Sequence, residues 1–122
     1  MFLWIIFLTF WGAIYNIATT NKQLLKARTL GVISLTSVGF LLFLLLTSNP
    51  FETILPLPPE NGADINPVLQ DPLLAIHPPM LYMGYVGFVI AFGQAIAFLF
   101  EGNPEIKWEK QVRSWSVASW SF

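Results

Sequence analysis

The sequence predicts an all-α membrane protein with three transmembrane helices, the start of a fourth, and a proline-rich external loop. Of its 122 residues, 55% are hydrophobic and only 11% are charged, and the mean hydropathy is +0.62. These values are more apolar than those of soluble domains. Three segments without charged side chains are long enough to cross a bilayer, and most of the prolines lie between the second and the third.

Each uncharged segment, 2–18, 29–47 and 78–100, is predicted to be a transmembrane helix. At a rise of 1.5 Å per residue, segment 29–47 extends roughly 28 Å, close to the ~30 Å hydrocarbon core. Segment 2–18 is at the lower limit of length, so we expect its helix to begin upstream. The chain therefore divides into two helices with a cytoplasmic loop (1–48), an external loop (49–77), a third helix (78–100), and a cytoplasmic loop with the start of a fourth helix (101–122).

Charge is distributed unevenly along the chain, which predicts its orientation. All six cations lie in segments 19–28 and 101–113, whereas the long segment 48–77 contains four acidic residues and no cation. By the positive-inside rule, the two cationic segments face the cytoplasm or the mitochondrial matrix. The loop 49–77 then faces the opposite compartment.

Proline and capping residues predict the local structure of the external loop. Asn49-Pro50 ends the second helix, because proline cannot continue its hydrogen bonds. Three dipeptides then place a polar side chain before a proline suited to the first turn of a helix: Asn66-Pro67, Asp71-Pro72 and His77-Pro78. We expect short helical turns, with the apolar residues 73–76 on the membrane surface and the third helix beginning after His77.

Composition excludes several classes of function. Six Lys and Arg against seven Asp and Glu give a net charge of −1, so nucleic acid is not a predicted partner. Without cysteine, the chain cannot form disulfides, thiolate metal sites or a C-x-x-C-H heme attachment. The predicted spans contain no Asp, Glu, Lys, Arg or His, which argues against ion or proton translocation by this segment alone.

Small and aromatic residues in the spans predict packing surfaces. Gly87, Ala91 and Ala95 recur every four residues, and Gln94 borders the same helix face, where it is interpreted as a packing amide or alternatively as a ligand contact. Trp11 is predicted to be a packing residue. The other tryptophans suit interfacial belts, although an aromatic span could also flank a flat cofactor: Trp4, Trp108, Trp115 and Trp120.

His77 is the single histidine and the main candidate for chemistry. Imidazole is a common axial ligand of heme iron, and Pro78-Pro79 would hold this residue rigidly at the outer mouth of the third helix. Alternatively, His77 merely meets the start of a helix at the interface. Asp71 is a candidate acceptor for the second ring nitrogen. A second axial ligand has to come from another segment or chain.

Several motifs together resemble the CcmF family of cytochrome c-type biogenesis proteins. The resemblance is carried by the segments NPF (49–51), DINPVLQDP (64–72) and IHPPMLYMGYVG (76–87), with further similarity in both preceding helices. It implies the membrane subunit of a heme lyase, which receives heme at the outer face and joins it to apocytochrome c. His77 matches the family's first external histidine, an axial ligand of heme iron.

The resemblance also implies parts that this sequence does not contain: the tryptophan-rich WWD segment, the second external histidine and the intramembrane histidines. We therefore expect the chain to be incomplete as a lyase by itself and to work with the remaining part of the same lyase. The other implied partners are apocytochrome c, a heme chaperone, thiol-handling subunits and membrane lipid. The implied location is the bacterial inner membrane with the loop 49–77 in the periplasm, or alternatively the mitochondrial inner membrane. The alternative function is a non-catalytic membrane subunit of a respiratory or transport complex.

Overall fold

The computed structural model describes residues 2–20, 22–52, 64–102 and 108–122, apart from the side chain of Leu69. These residues form four α-helices, named α1 to α4, and one 3-10 turn. In chain order they are α1 (Phe2–Ala18), α2 (Gln23–Thr47), the 3-10 turn (Pro67–Gln70), α3 (Pro72–Glu101) and α4 (Trp108–Trp120). The described part of the chain contains no β-strand, so the predicted all-α class is confirmed.

Two of the helices are long and apolar enough to cross a membrane. These are α2, with 25 residues, and α3, with 30 residues. Helix α1 is apolar but has 17 residues, and α4 has 13. The structure thus supports two of the predicted spans. A third span and the start of a fourth stay predictions.

Successive helices run antiparallel, and α3 packs against each of the other three. Contacts between residues at the same level of the bundle show which helices are adjacent. Gly12 of α1 lies beside Ile33 of α2, and Phe98 of α3 lies beside Trp108 of α4. The bundle therefore has two chemically different ends. We call the end that carries residues 48–52 and 64–77 the loop end, and the end that carries residues 19–28 and 108–113 the cationic end.

Aromatic side chains fill the core between α1, α3 and α4. Trp11 is 4% exposed, and its indole Nε1 donates a 3.0 Å hydrogen bond to the backbone carbonyl of Met83. Trp115 packs edge-on against Trp11 and Tyr15, with ring centroids 6.4 and 5.5 Å away. The prediction that Trp11 is a packing residue is confirmed. Trp115, predicted for an interfacial belt, is instead half-buried and packs on this core, because α4 lies along α3.

Glycines on α3 set how closely its neighbours approach. A Cβ at Gly87 would lie 2.5 Å from Oγ of Ser119 and 2.8 Å from the Trp11 ring. Gly84 meets the carbonyl of Ser119 and Gly93 meets Thr29 in the same way, at 3.0 and 3.2 Å. The predicted close approach at Gly87 is confirmed. Ala91 and Ala95, which follow Gly87 at the predicted four-residue spacing, are only half-buried, since the tight contacts are made by glycines on two sides of α3 and not by these alanines.

Helix α3 begins earlier than the sequence predicted. Asp71 is its N-cap: one carboxylate oxygen accepts a 2.8 Å hydrogen bond from the backbone N–H of Leu73, and Pro72 occupies the first helical turn. The helix then continues through Pro78 and Pro79 without a break. The expectation that the helix starts after His77 is wrong, because the first capping dipeptide already starts it. Residues 73–76 are its first turn and are exposed.

We predict that Gly87→Ala destabilises the bundle, whereas Gly31→Ala does not. The added methyl group at position 87 meets a rigid Cβ and a packed indole, and such overpacking costs about 1–3 kcal/mol. At Gly31, inside α2, nothing lies within 4 Å, and alanine is favoured over glycine in a helix by about 1 kcal/mol. Thermal unfolding in detergent, followed by circular dichroism, measures both. Equal midpoints for the two variants would refute the close approach.

Candidate functional site

His77 lies in the second turn of α3, at the loop end, with an exposed side chain. Residues three and four positions away along a helix share its face. At these positions stand four apolar side chains that are themselves 42 to 78% exposed: Leu73, Leu74, Met80 and Leu81. We call His77 with these four side chains the imidazole strip. A single ring that can bind a metal is therefore surrounded by apolar surface open to a ligand.

The two prolines after His77 make this part of α3 unusual. Proline has no N–H, so the helical hydrogen bonds from Pro78 and Pro79 to the carbonyls of Leu74 and Ala75 cannot form. Both rings also fix φ near −65°, and both are half-buried. The first turn is thus joined to the rest of α3 by a stretch that lacks two hydrogen bonds but has restricted backbone angles. His77 directly precedes the two prolines of this stretch.

The ring of His77 makes no hydrogen bond to any other residue that the structure describes. Asp71, the predicted acceptor for its second nitrogen, uses a carboxylate oxygen to cap the helix at Leu73. Both ring nitrogens are therefore open to a ligand within the described part of the chain. No group of three or more histidine, aspartate or glutamate side chains suited to a metal ion occurs among the described residues. Heme iron differs from a bare ion in needing only axial ligands from protein.

A second candidate site is a cavity of about 400 Å³ at the cationic end. Gln94 lines it and is only 1% exposed, and its Oε1 has no hydrogen-bond partner among the described residues. The burial of Gln94 fits its interpretation as a packing residue, but its Oε1 accepts no hydrogen bond from a described residue across the helix interface. The other described residues that line the cavity lie at or just after the end of α1 and in the first half of α4: Ala18, Thr19, Thr20, Lys110, Gln111, Ser114 and Trp115.

The amino-acid sequence indicates both His77 and Gln94 but not the surroundings of either residue. The imidazole strip could have been found from the helical spacing of Leu73, Met80 and Leu81 around His77, had the helix start been placed correctly. The cavity could not, because it depends on how α1 and α4 pack against α3. No described contact brings His77 and Gln94 together, since they lie near opposite ends of α3.

Comparison with known proteins identifies the relatives of this chain. The family described as Cytochrome C assembly protein matches residues 1–122. The cytochrome c-type biogenesis proteins CcmF of Pseudomonas fluorescens and of Escherichia coli K12 are each 46% identical over the whole chain. The cytochrome c-type biogenesis protein NrfE of Haemophilus influenzae is 37% identical over the same length. No solved structure shows a significant match.

The match covers all of this chain but only 19% of each of these relatives, so the chain spans about a fifth of their length. It includes the segment with His77 and the cavity around Gln94. Because the family matches residues 1–122, the chain belongs to the cytochrome c assembly protein family.

Proposed function

We propose that the chain acts in cytochrome c maturation as part of a heme lyase, with His77 as an axial ligand of heme iron at the loop end. The observation that carries this proposal is the imidazole strip, an exposed imidazole flanked by exposed apolar side chains on one helix face. The names of the relatives support the process, since they are cytochrome c-type biogenesis proteins. Heme is the substrate here and is passed on to an apocytochrome.

The chemistry of the imidazole strip fits one face of heme. A neutral imidazole nitrogen is a common axial ligand of iron, and the apolar part of the porphyrin gains free energy when it covers apolar side chains. Full burial of a leucine side chain contributes about 1.5–3 kcal/mol, so partial cover of Leu73 and Leu81 adds to the iron–nitrogen bond. The prolines at positions 78 and 79 restrict the backbone beside the ligand, which lowers the entropy lost on binding.

The chain supplies position and ligation, and other components supply the rest of the reaction. Attachment of heme joins its vinyl groups to thiols, and this chain has no cysteine. The thiols therefore belong to apocytochrome c. Because His77 is the single histidine, a second axial imidazole has to come from the remaining part of the lyase. A heme chaperone and thiol-handling subunits complete the proposed set of partners.

The proposed location is the bacterial inner membrane, with the loop end in the periplasm. Two helices apolar enough to span a membrane and the bacterial origin of the relatives support this placement. The cations at the opposite end support the orientation through the positive-inside rule. In a mitochondrion, the same orientation would place the loop end in the intermembrane space.

We predict that hemin added to the purified full chain gives a Soret shift that His77→Ala abolishes. The reason is that alanine removes the imidazole nitrogen without disturbing a buried contact, since His77 is exposed. His77→Gly, supplied with millimolar imidazole, should recover the shift because free imidazole replaces the missing ligand. Asp64→Ala, a change at another exposed residue of the loop end, is the matched control and keeps the wild-type spectrum.

The helical content of each variant, measured by circular dichroism, is the control for an intact fold. A Soret shift that persists unchanged in His77→Ala would refute the ligand role. That result would favour the alternative function, a non-catalytic membrane subunit of a respiratory or transport complex.

We further predict the orientation from cysteine labelling in intact cells. The chain has no cysteine of its own, so Glu52→Cys at the loop end and Thr20→Cys at the cationic end each give a single thiol. Both positions are exposed. A membrane-impermeant maleimide should label the first variant in intact bacteria with a permeabilised outer membrane, and the second only after lysis. The reverse pattern would place His77 on the cytoplasmic side and contradict the proposal.

A further inference from the structure

We propose that helix α2 is the docking surface for a transmembrane helix from the remaining part of the heme lyase, which inserts one large apolar side chain beside Gly39. The surface is an open cavity of about 470 Å³ whose described lining residues are Thr36, Gly39, Phe40 and Phe43. We call these four residues the Gly39 hole. The proposal rests on the proposed function in one respect, that the chain works with the remaining part of the same lyase. It does not involve His77 or heme.

The spacing of the four residues is that of a hole between packed helices. Counted from Thr36, they stand at positions i, i+3, i+4 and i+7 of α2, and residues at these separations are neighbours on one face of a helix. In knobs-into-holes packing, a side chain of one helix inserts between four residues of the facing helix. All of the described residues that line the cavity belong to α2 itself. Within the described part of the chain, the place of the facing helix is therefore open.

The hole leaves the backbone of α2 accessible between two aromatic rings. A Cβ at Gly39 would have no described atom of another part of the chain within 4 Å. Phe40 packs on Trp4 of α1, with ring centroids 5.4 Å apart, and Phe43 is 46% exposed. The hydroxyl of Thr36 donates a 2.9 Å hydrogen bond to a backbone carbonyl one turn earlier in α2, so it needs no further partner. The hole thus accepts an apolar side chain.

The depth of the hole selects a partner that lies in the membrane. Helix α2 is long and apolar enough to cross a bilayer, and residues 36–43 stand near the middle of its uncharged segment 29–47. In the hydrocarbon core, a single polypeptide segment satisfies its backbone polar groups only as a helix. A polypeptide that covers the Gly39 hole is therefore a transmembrane helix.

The glycine favours a helix over a lipid chain as the occupant. After proline, glycine is the residue that a helix interior disfavours most. A flexible acyl chain covers alanine as well as glycine, so contact with lipid does not offset this cost. Contact with a facing helix offsets it, because small residues let two backbones approach closely and gain van der Waals contact.

The length of the relatives indicates where such a helix comes from. The chain covers only 19% of its CcmF relatives, so most of their length lies outside the matched segment. Helix α2 also has more surface to offer than α3: in their most apolar stretches, 17% of the α2 residues and 39% of the α3 residues are buried. The remaining part of the lyase is therefore the occupant that we assign to the Gly39 hole.

The test places the full chain in a complete protein, where it replaces the matched segment of CcmF of Pseudomonas fluorescens. The photoreactive residue p-benzoylphenylalanine, introduced at Phe43 or at Leu45, bonds on illumination to whatever lies beside it, and mass spectrometry identifies the adduct. Leu45 is the matched control, because it is 54% exposed but lies two residues further on, on the opposite side of α2. We expect an adduct with a transmembrane peptide from outside this chain at position 43 and not at position 45.

Two glycine variants test the hole itself. Gly39→Leu fills the hole and should lower the yield of the adduct at position 43 about tenfold, because overpacking displaces the facing helix. It should also lower the unfolding midpoint of the complete protein, measured by circular dichroism, but not that of the free chain. Gly31→Leu is the matched control, because its Cβ position is equally open among the described residues and lies outside the hole. This variant should keep the wild-type yield and midpoints.

Several outcomes would overturn the proposal. A lipid adduct at position 43 would assign the hole to an acyl chain, and an adduct with a second copy would assign it to a dimer. Equal adducts at positions 43 and 45, or an equal loss in the two glycine variants, would show that the hole selects nothing. If the hybrid protein does not accumulate, the aligned positions of the Pseudomonas fluorescens protein carry the same test. The Soret shift of His77 is measured separately, so failure of the heme proposal is distinguished from failure of this one.

Discussion

The close approach of three helices at Gly87 is the contact on which the rest of the bundle depends. At this point α4 and the indole of Trp11 both lie against the backbone of α3, and a single added methyl group would meet both. The indole also donates to the carbonyl of Met83, one turn nearer the loop end. Van der Waals packing between small residues and an interhelical hydrogen bond are the forces that hold helices together in lipid, where the hydrophobic effect between helices is weak. This contact fixes α3 at the centre of the bundle.

Helix α3 lies at the centre of the bundle, and its two ends differ chemically. One candidate site lies at each end. Toward the loop end, α3 begins with an exposed turn capped by Asp71, and the imidazole strip lies there. Toward the other end, α1 stops at Ala18 while α4 begins at Trp108, and the gap between them opens above Gln94. The same helix therefore presents an apolar surface with one imidazole at one end and a polar cavity at the other. The two candidate sites lie well apart along α3.

The sequence predicted individual residues better than their surroundings. The packing role of Trp11 is confirmed, because tryptophan deep in an apolar run has few interpretations, whereas the role of His77 stays a prediction. The predicted start of α3 is wrong, since three dipeptides could each cap a helix and the sequence does not show which of them begins α3. Asp71 caps the helix because its carboxylate accepts a hydrogen bond from the N–H of Leu73. The helix then continues through Pro78 and Pro79. Trp115 was misplaced because a tryptophan near a membrane surface and one packed on a neighbouring helix look alike in sequence.

The amino-acid sequence by itself determined the helical class, the uneven charge of the two ends and the presence of a single imidazole beside two prolines. These are local properties, set by hydropathy, by the position of charges and by the backbone chemistry of proline. The tertiary structure decided which glycines meet a neighbour, that the side-chain oxygen of Gln94 has no donor among the described residues, and where α1 and α4 leave a gap. Those features depend on distances between helices that are far apart along the chain, and such distances follow from packing, which no single segment encodes.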